Sequence, residues 1–461
     1  MEVTKDDFGP GFHFGVSAAA FQTEGAVGSH GKGPSVWDQF THRNGKIRNG
    51  DTADIACDFY HRFPQDLALM ASMNIPNFRF SLSWPRIFPK GAGEVNKAGI
   101  DHYNRVIDLC LELGIEPWIT IYHWDLPHEL EVKGGWANRG MLNWFADYVS
   151  TCIQAFGDRV KHWMILNEPV VFCGAGYFLG VHAPGRKEPE AFFAAVHHAA
   201  LCQALGGSII RSFSSDIKVG TTFSCTHIES NSDNAADTAA ALRTDTLLNR
   251  VFIEPLLGLG YPVRDLKLLQ RLEPYVRSGD ESRLQFDMDF IGIQNYTREV
   301  IAHSWLVPYL QARIVKADQR QVARTQMNWE VYPEAIYKTL LRFGAYENIP
   351  ALIVTENGAA FQDEVSDNAV IDHQRTLYLQ DHIAQVLRAK RHGVNVNGYF
   401  VWTFTDNFEW AEGYHPRFGI VHVNFKTQKR IVKASGHWYK RFLGGAAGVT
   451  SLTHTSSHGF M

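Results

Sequence analysis

Eight short apolar runs recur along the chain, each bounded by polar or turn-forming residues. Runs of this length that are rich in β-branched and aromatic residues predict strands buried on both faces. They occupy residues 12–18, 76–82, 116–122, 162–167, 217–224, 287–293, 351–355 and 396–402. Segments with helical periodicity lie between them, at residues 101–113, 140–156, 188–213, 334–343 and 372–392. This alternation predicts a parallel sheet covered by helices.

Eight strand and helix units in one chain of 461 residues favour the α/β class and a single (β/α)8 TIM barrel with long βα loops. A doubly wound parallel sheet is the alternative. No Gly-rich or Pro-rich linker divides the chain, so residues 1–445 are predicted to form one domain. Residues 446–461 are low in complexity and are predicted to be a flexible tail. The interval 297–328 is too long for an ordinary βα loop and is predicted to wall the entrance to a site.

The composition narrows the class of partner. The formal net charge is -4, which gives no electrostatic footprint for nucleic acid or for an anionic membrane, so a small molecule is the expected partner. The N-terminus lacks the apolar core of a signal peptide and no run of eighteen apolar residues is evident, so a cytoplasmic location without a membrane partner is expected. The six cysteines form no C-x-x-C pair and are expected to be reduced thiols.

Residues that follow the strands of such a barrel meet at one rim, where active sites of this fold lie. Two predicted strands deliver a carboxylate there: the fourth runs into Asn167-Glu168-Pro169 and the seventh into Glu356-Asn357. A single carboxylate at a strand end is as often a solvated or salt-bridged surface group. Two of them after buried strands favour acid/base chemistry.

The other strand ends carry aromatic rings together with amide, imidazole and carboxylate groups. This mixture suits a sugar, whose apolar face stacks on a ring and whose hydroxyls need donors and acceptors. The residues are Gln22, His123, Trp124, Gln294, Asn295, Tyr296, Trp402, Glu409 and Trp410. His123 has no second histidine or carboxylate at metal-ligand spacing, so no metal is expected, and a buried core histidine is the alternative for it.

Three separated stretches resemble the motifs of family 1 glycoside hydrolases, the retaining enzymes of β-glucosidase type. They are residues 12–24 (FHFGVSAAAFQTE), the triplet Asn167-Glu168-Pro169 and residues 355–358 (TENG). The resemblance extends from about residue 12 to residue 438, nearly the whole chain. It implies that Glu168 is the acid/base and Glu356 the nucleophile, without a cofactor.

The same resemblance implies roles for further residues. Those expected to contact the sugar are Gln22, His123, Asn167, Tyr296, Trp402, Glu409 and Trp410, and those expected to support the site are Arg79, Trp124, Gln294, Asn295 and Trp329. Arg79 is the cation expected to keep the nucleophile ionised, with a surface or inter-strand arginine as the alternative. Gln294 departs from the pattern, because the family commonly has Asn there, and Asn295 is a possible substitute for that contact.

The function implied is a retaining β-glycosidase that works through a covalent glycosyl-enzyme. Glu409 stands where the phospho-glycosidase branch carries small polar and basic residues, so terminal unphosphorylated β-D-glucosides are the expected substrates, with β-galactosides and β-fucosides also accepted. The alternative for Glu409 is a surface pair with Arg417. Small-molecule β-glycosides or oligosaccharides are the expected partners, in the breakdown of polysaccharides such as cellulose. A transglycosylase with the same carboxylates and a sugar-binding protein without activity are the alternatives.

Overall fold

The eight apolar runs form the eight strands of a closed parallel barrel. The computed structural model describes residues 2–445 and 449–450. The barrel strands, numbered one to eight along the chain, are His13–Ser17, Asn77–Ser81, Glu116–Tyr122, His162–Asn167, Lys218–Ser224, Phe290–Gln294, Ala351–Asn357 and Val396–Trp402. Each strand is hydrogen-bonded to its neighbours in chain order, and the eighth closes onto the first. The predicted (β/α)8 barrel is therefore confirmed, and the doubly wound sheet is excluded.

Helices connect the strands, and each of the five predicted helices is present with ends shifted by at most four residues. The α-helices are Ala20–Thr23, Val36–Thr41, Phe59–Ser72, Trp84–Ile87, Lys97–Glu112, His128–Val132, Met141–Phe156, Pro169–Cys173, Pro189–Phe213, Ala235–Asp245, Ile253–Leu256, Asp280–Leu284, Glu334–Gly344, His373–Arg391 and Ala434–Leu443. Short 3-10 helices are Lys5–Phe8, Ser29–Gly31, Arg48–Gly50, Gly135–Ala137, Lys267–Tyr275, Ala317–Gln319 and Trp410–Glu412, and π-helical turns are Gly174–Phe178 and Thr246–Arg250.

Side chains from five different strands fill the inside of the barrel. Trp118, Met164, Phe290, Ile353 and Phe400 pack together in a cluster separate from the larger core that lies between strands and helices. This filling makes the barrel a packed core rather than a pore. A ligand site is therefore confined to the rim.

The interval 297–328 differs from a plain loop. It contains the strands Arg298–His303 and Ala312–Ile314, which join His227–Ser230 in a three-stranded sheet outside the barrel. The two pairings, one parallel and one antiparallel, satisfy backbone groups that a loop of this length would leave to water. The strands were not predicted because their partner lies some 70 positions earlier in the chain.

The helix Pro189–Phe213 is, by length and composition, apolar enough to cross a membrane, and 83% of its most apolar window is buried within the protein. Its apolar residues are interrupted by histidine and glutamine, so a search for an uninterrupted run misses it.

All six cysteines are free and buried. At the chain ends, Glu2–Val3 pairs with Val449–Thr450; otherwise the predicted tail, residues 446–461, lies outside the described residues.

Candidate active site

A cavity of about 350 Å³ opens at the carboxyl end of the barrel, and both candidate carboxylates line it. Its walls combine aromatic rings with carboxyl, hydroxyl and imidazole groups, the composition of a site for a polar ring-shaped ligand. The lining residues are His123, Trp124, Glu168, Val171, His182, Ser224, Thr226, Gln294, Tyr296, Thr297, Glu299, Met327, Trp329, Glu356, Trp402, Glu409, Trp410, Ala411, Glu412 and Phe418.

Glu356 lies near the end of the seventh strand, where three donors fix its carboxylate. Oε1 accepts from Gln294 Nε2 at 2.7 Å and from the Arg79 guanidinium, and Oε2 accepts from Tyr296 Oη at 2.6 Å. Burial raises the pKa of Glu356, while Arg79 and the Tyr296 hydrogen bond oppose that rise. A carboxylate held by a cation and two neutral donors is suited to attack in one fixed direction.

Glu168 follows the fourth strand and begins the short helix Pro169–Cys173. Its backbone is in the left-handed region, with φ 45° and ψ 63°, which is unusual for a residue with a side chain. Burial, and next the negative charge of Glu356, raise the pKa of Glu168 to about 8, with smaller opposing effects of Ser224 and Arg79. Glu168 therefore keeps its proton near neutral pH, a protonation state that suits a general acid.

Asn167 links the two halves of the site. Its Oδ1 accepts from Arg79 Nη2 at 2.5 Å, from Gln294 Nε2 at 2.7 Å and from Thr222 Oγ1 at 3.0 Å, and its Nδ2 donates to His123 Nε2 at 3.0 Å. Burial and the nearby Arg79 charge hold the pKa of His123 well below its usual range, so the ring is neutral. Because Nε2 accepts, the proton resides on Nδ1, which is buried and has no protein partner among the described residues.

Glu409 and Gln22 form a pair after the eighth and first strands. Gln22 Nε2 donates to Glu409 Oε2 at 3.2 Å and to the Phe408 carbonyl at 2.9 Å. Burial and the charge of Glu356 raise the pKa of Glu409 to about 8. Arg417 forms its salt bridge with Asp406 at 3.0 Å, so the alternative in which it pairs with Glu409 is wrong.

The tryptophans form two groups in the cavity wall. Trp410 packs against Trp124 with ring centroids 4.5 Å apart, and Trp124 Nε1 donates to the Asn167 carbonyl at 2.8 Å. On the other side, Trp329 packs against Tyr296 at 5.2 Å, beside Trp402 in one apolar cluster. Rings held by their neighbours present flat apolar surfaces to the space between them.

Four predicted site residues do not line the cavity. Gln22, Arg79 and Asn167 lie directly behind it and act on Glu409, Glu356 and His123 through the hydrogen bonds above. Asn295 faces away, because its Nδ2 donates to the carbonyls of Cys225 and Thr297 at 2.7 and 3.1 Å. The expectation that Asn295 replaces the shorter amide of the family is therefore wrong, and Gln294 itself occupies that place.

Several lining residues were not predicted, among them Glu299, Thr226, Thr297 and His182. They belong to segments outside the barrel, and the position of 297–328 beside the sixth strand end signalled only Thr297 and Glu299. Among residues 2–445 and 449–450, no cluster of three His, Cys, Asp or Glu side chains could hold a metal ion.

Known proteins resemble this chain along almost its entire length. Residues 4–445 match glycosyl hydrolase family 1. The chain is 43% identical to beta-glucosidase A of Thermotoga maritima, over 95% of this chain and 98% of the relative, and 38% identical to beta-glucosidase 42 of Arabidopsis thaliana, over 96% and 95%. The solved structure of a Thermotoga maritima beta-glucosidase in complex with glucoimidazole has a TM-score of 0.90 at 42% identity and covers 95% of this chain and 99% of its own. The chain therefore belongs to glycosyl hydrolase family 1.

Proposed function

We propose that this chain, a β-glucosidase of family 1, hydrolyses terminal unphosphorylated β-D-glucosides with retention of configuration. The observation that supports this most directly is the pair of buried carboxyl groups in one cavity. Glu356 is held by a cation and two neutral donors, whereas Glu168 has a pKa raised to about 8. Two carboxyl groups whose environments differ in this way are suited to separate roles, one as nucleophile and one as acid.

The reaction would proceed in two displacements. Glu356 attacks the anomeric carbon while Glu168 gives its proton to the departing glycosidic oxygen, which forms a glycosyl-enzyme ester and a free alcohol. Glu168, now ionised, then takes a proton from water as the water oxygen attacks the same carbon and releases Glu356. Both carboxyl groups are present in the cavity, which argues against a sugar-binding protein without activity.

Retention is tested by the first product formed. We expect ¹H NMR of p-nitrophenyl β-D-glucoside hydrolysis to show β-glucose before mutarotation adds the α-anomer, because two inversions restore the starting configuration. A control with α-glucose alone gives the mutarotation rate in the same buffer. Appearance of α-glucose first would show a single displacement and contradict the proposal.

Glu409 supports the choice of an unphosphorylated sugar. Its carboxyl lines the cavity beside Gln22, whose Oε1 is buried without a protein partner and can accept from a hydroxyl. A carboxyl with two oxygens can accept from the 4- and 6-hydroxyls in either orientation of the 4-hydroxyl, so β-galactosides and β-fucosides are proposed as further substrates. A 6-phosphate would place its negative charge next to this group.

We expect wild type to prefer p-nitrophenyl β-D-glucoside over its 6-phosphate, and Glu409→Ala to lower kcat/KM for the glucoside by about ten- to a hundredfold. The reason is that the sugar hydroxyls lose their hydrogen-bond partner and are left unsatisfied in a buried site, at about 1–3 kcal/mol. Glu281→Ala, which removes an exposed carboxylate, is the matched control. Preference for the phosphate, or unchanged kinetics in Glu409→Ala, would refute this part of the proposal.

We also propose a cellular location and a natural source of substrates for the enzyme. Six buried free cysteines agree with a reducing compartment, so we propose a cytoplasmic enzyme. A relative from Thermotoga neapolitana, 42% identical, bears the name 1,4-beta-D-glucan glucohydrolase. This supports oligosaccharides from β-glucans such as cellulose as substrates.

A further inference from the structure

Glu299 is a carboxyl group in the cavity wall that the reaction above does not use. It lies on the strand Arg298–His303, outside the barrel, where its backbone is aligned with Ile228 of the neighbouring strand. Its side chain has neither a hydrogen bond nor an ion pair with any residue of the described chain. Burial raises the pKa of Glu299 to about 7, with Arg320 opposing and Glu330 assisting.

The cations near Glu299 are occupied by other groups. Arg320 donates to Glu330 Oε2 at 2.5 Å and to the Val315 carbonyl at 3.0 Å. Arg298, the preceding residue, donates to Glu330 and to Glu229. A half-buried carboxyl without a protein partner costs stability unless water or a ligand satisfies it. The Glu299 side chain lines the cavity, so a ligand bound there can reach its carboxyl group.

Glu299 lies on the side of the cavity from which a leaving group departs. The neighbouring wall is formed by Ser224, which ends the fifth strand, and by Thr226 just beyond it. The fifth strand pairs with the fourth, which Glu168 follows. Glu409 follows the eighth strand, which lies opposite the fourth in an eight-stranded barrel. Because Glu168 protonates the glycosidic oxygen, the group attached to that oxygen extends away from Glu409 and toward these residues.

We propose that Glu299 selects leaving groups that carry hydrogen-bond donors, and that the group it takes is the second pyranose of a β-linked disaccharide. This inference rests on the proposed function. The hydroxyls of that pyranose donate to the Glu299 carboxyl, and the Thr226 hydroxyl adds a donor and an acceptor in the same wall. Trp329 and Met327 offer an apolar surface to the face of the ring. An apolar aryl leaving group has no donor for Glu299 and gains nothing from it.

The test compares cellobiose with p-nitrophenyl β-D-glucoside in Glu299→Met and Glu299→Gln. For Glu299→Met, which keeps the length and removes the polar atoms, we expect kcat/KM for cellobiose to fall about tenfold and that for the aryl glucoside to change less than twofold. For Glu299→Gln, whose amide oxygen still accepts, we expect a smaller loss of cellobiose turnover. Glu281→Met, at an exposed position, is the control.

Thermal unfolding separates a binding role from a structural one. Since Glu299 is unpartnered, Glu299→Met should melt at or above the wild-type Tm. A lower Tm with equal losses on both substrates would assign Glu299 to the fold, and an unchanged ratio of the two kcat/KM values would overturn the proposal outright. A larger loss on 2-aminoethyl β-D-glucoside than on cellobiose would identify a cation instead of a sugar. Failure of wild type on the aryl glucoside would refute the proposed function itself.

Discussion

Replacing Glu356 by glycine is expected to lower turnover of aryl β-glucosides by about 10⁴-fold or more, because the variant lacks the proposed nucleophile. The space left by the side chain admits a small anion. Added azide is expected to restore activity by attacking the same carbon from the side that Glu356 occupied. The product is then α-glucosyl azide, with the aryloxide as leaving group, and both are measured by NMR and absorbance.

The anomer of the azide product decides the assignment. A β-azide from Glu356→Gly would mean that the sugar was already attached to another group, and the roles of Glu168 and Glu356 would be reversed. Rescue of Glu356→Gly by azide, together with no effect of azide on the control Glu281→Gly at an exposed position, would show that azide acts at position 356 alone. Circular dichroism of both variants establishes that the fold is kept.

Replacing Glu168 by alanine is expected to leave glycosylation by substrates with activated leaving groups largely intact and to slow hydrolysis of the glycosyl-enzyme by about 10²- to 10⁴-fold. The first step needs little protonation when the leaving group is a dinitrophenolate, whereas water has lost its base. Stopped-flow absorbance should therefore show a burst followed by a slow phase. Azide attacks the glycosyl-enzyme without a base, and the expected product is β-glucosyl azide, opposite to that of Glu356→Gly.

The pH dependence provides a second readout of the same variant. Because the pKa of Glu168 is raised to about 8 in the folded enzyme, wild-type kcat/KM for a substrate that needs protonation should fall above that pH as the acid is lost. In Glu168→Ala, with a dinitrophenyl substrate, this alkaline limb should disappear. A limb that persists near pH 8 would identify Glu409, whose pKa is raised to the same value, as the titrating group.

The barrel strands were predictable because each is a continuous apolar run, a pattern that depends on burial and not on knowledge of the partner strand. The strand-end rule then placed Glu168 and Glu356 in one site. The helix Phe59–Ser72 was missed, since Pro64 within it breaks the local signal that a helix gives. Local sequence therefore predicts the barrel strands well, but it misses a helix whose pattern is interrupted by a proline.

The direction of individual side chains was harder to predict than the position of the site. Gln294 faces the cavity and Asn295 faces away because successive residues of an extended chain point to opposite sides, so an error of one position reverses the interpretation. Glu299 faces the cavity only because its strand pairs with His227–Ser230, some 70 positions earlier. No periodicity within residues 297–328 encodes a partner at that distance.

The closing seam of the barrel has a consequence for synthesis of the protein. Strands one and eight pair across the seam, and the Gln22 to Glu409 hydrogen bond beside it spans 387 positions. On the ribosome the first strand emerges early, while the strand Val396–Trp402 emerges near the end of translation. Until then the nascent sheet remains open, with an unpaired edge that other chains can bind. Glu409 therefore leaves the ribosome after the segments that carry Glu168 and Glu356, and its hydrogen bond from Gln22 can form only at the end of synthesis.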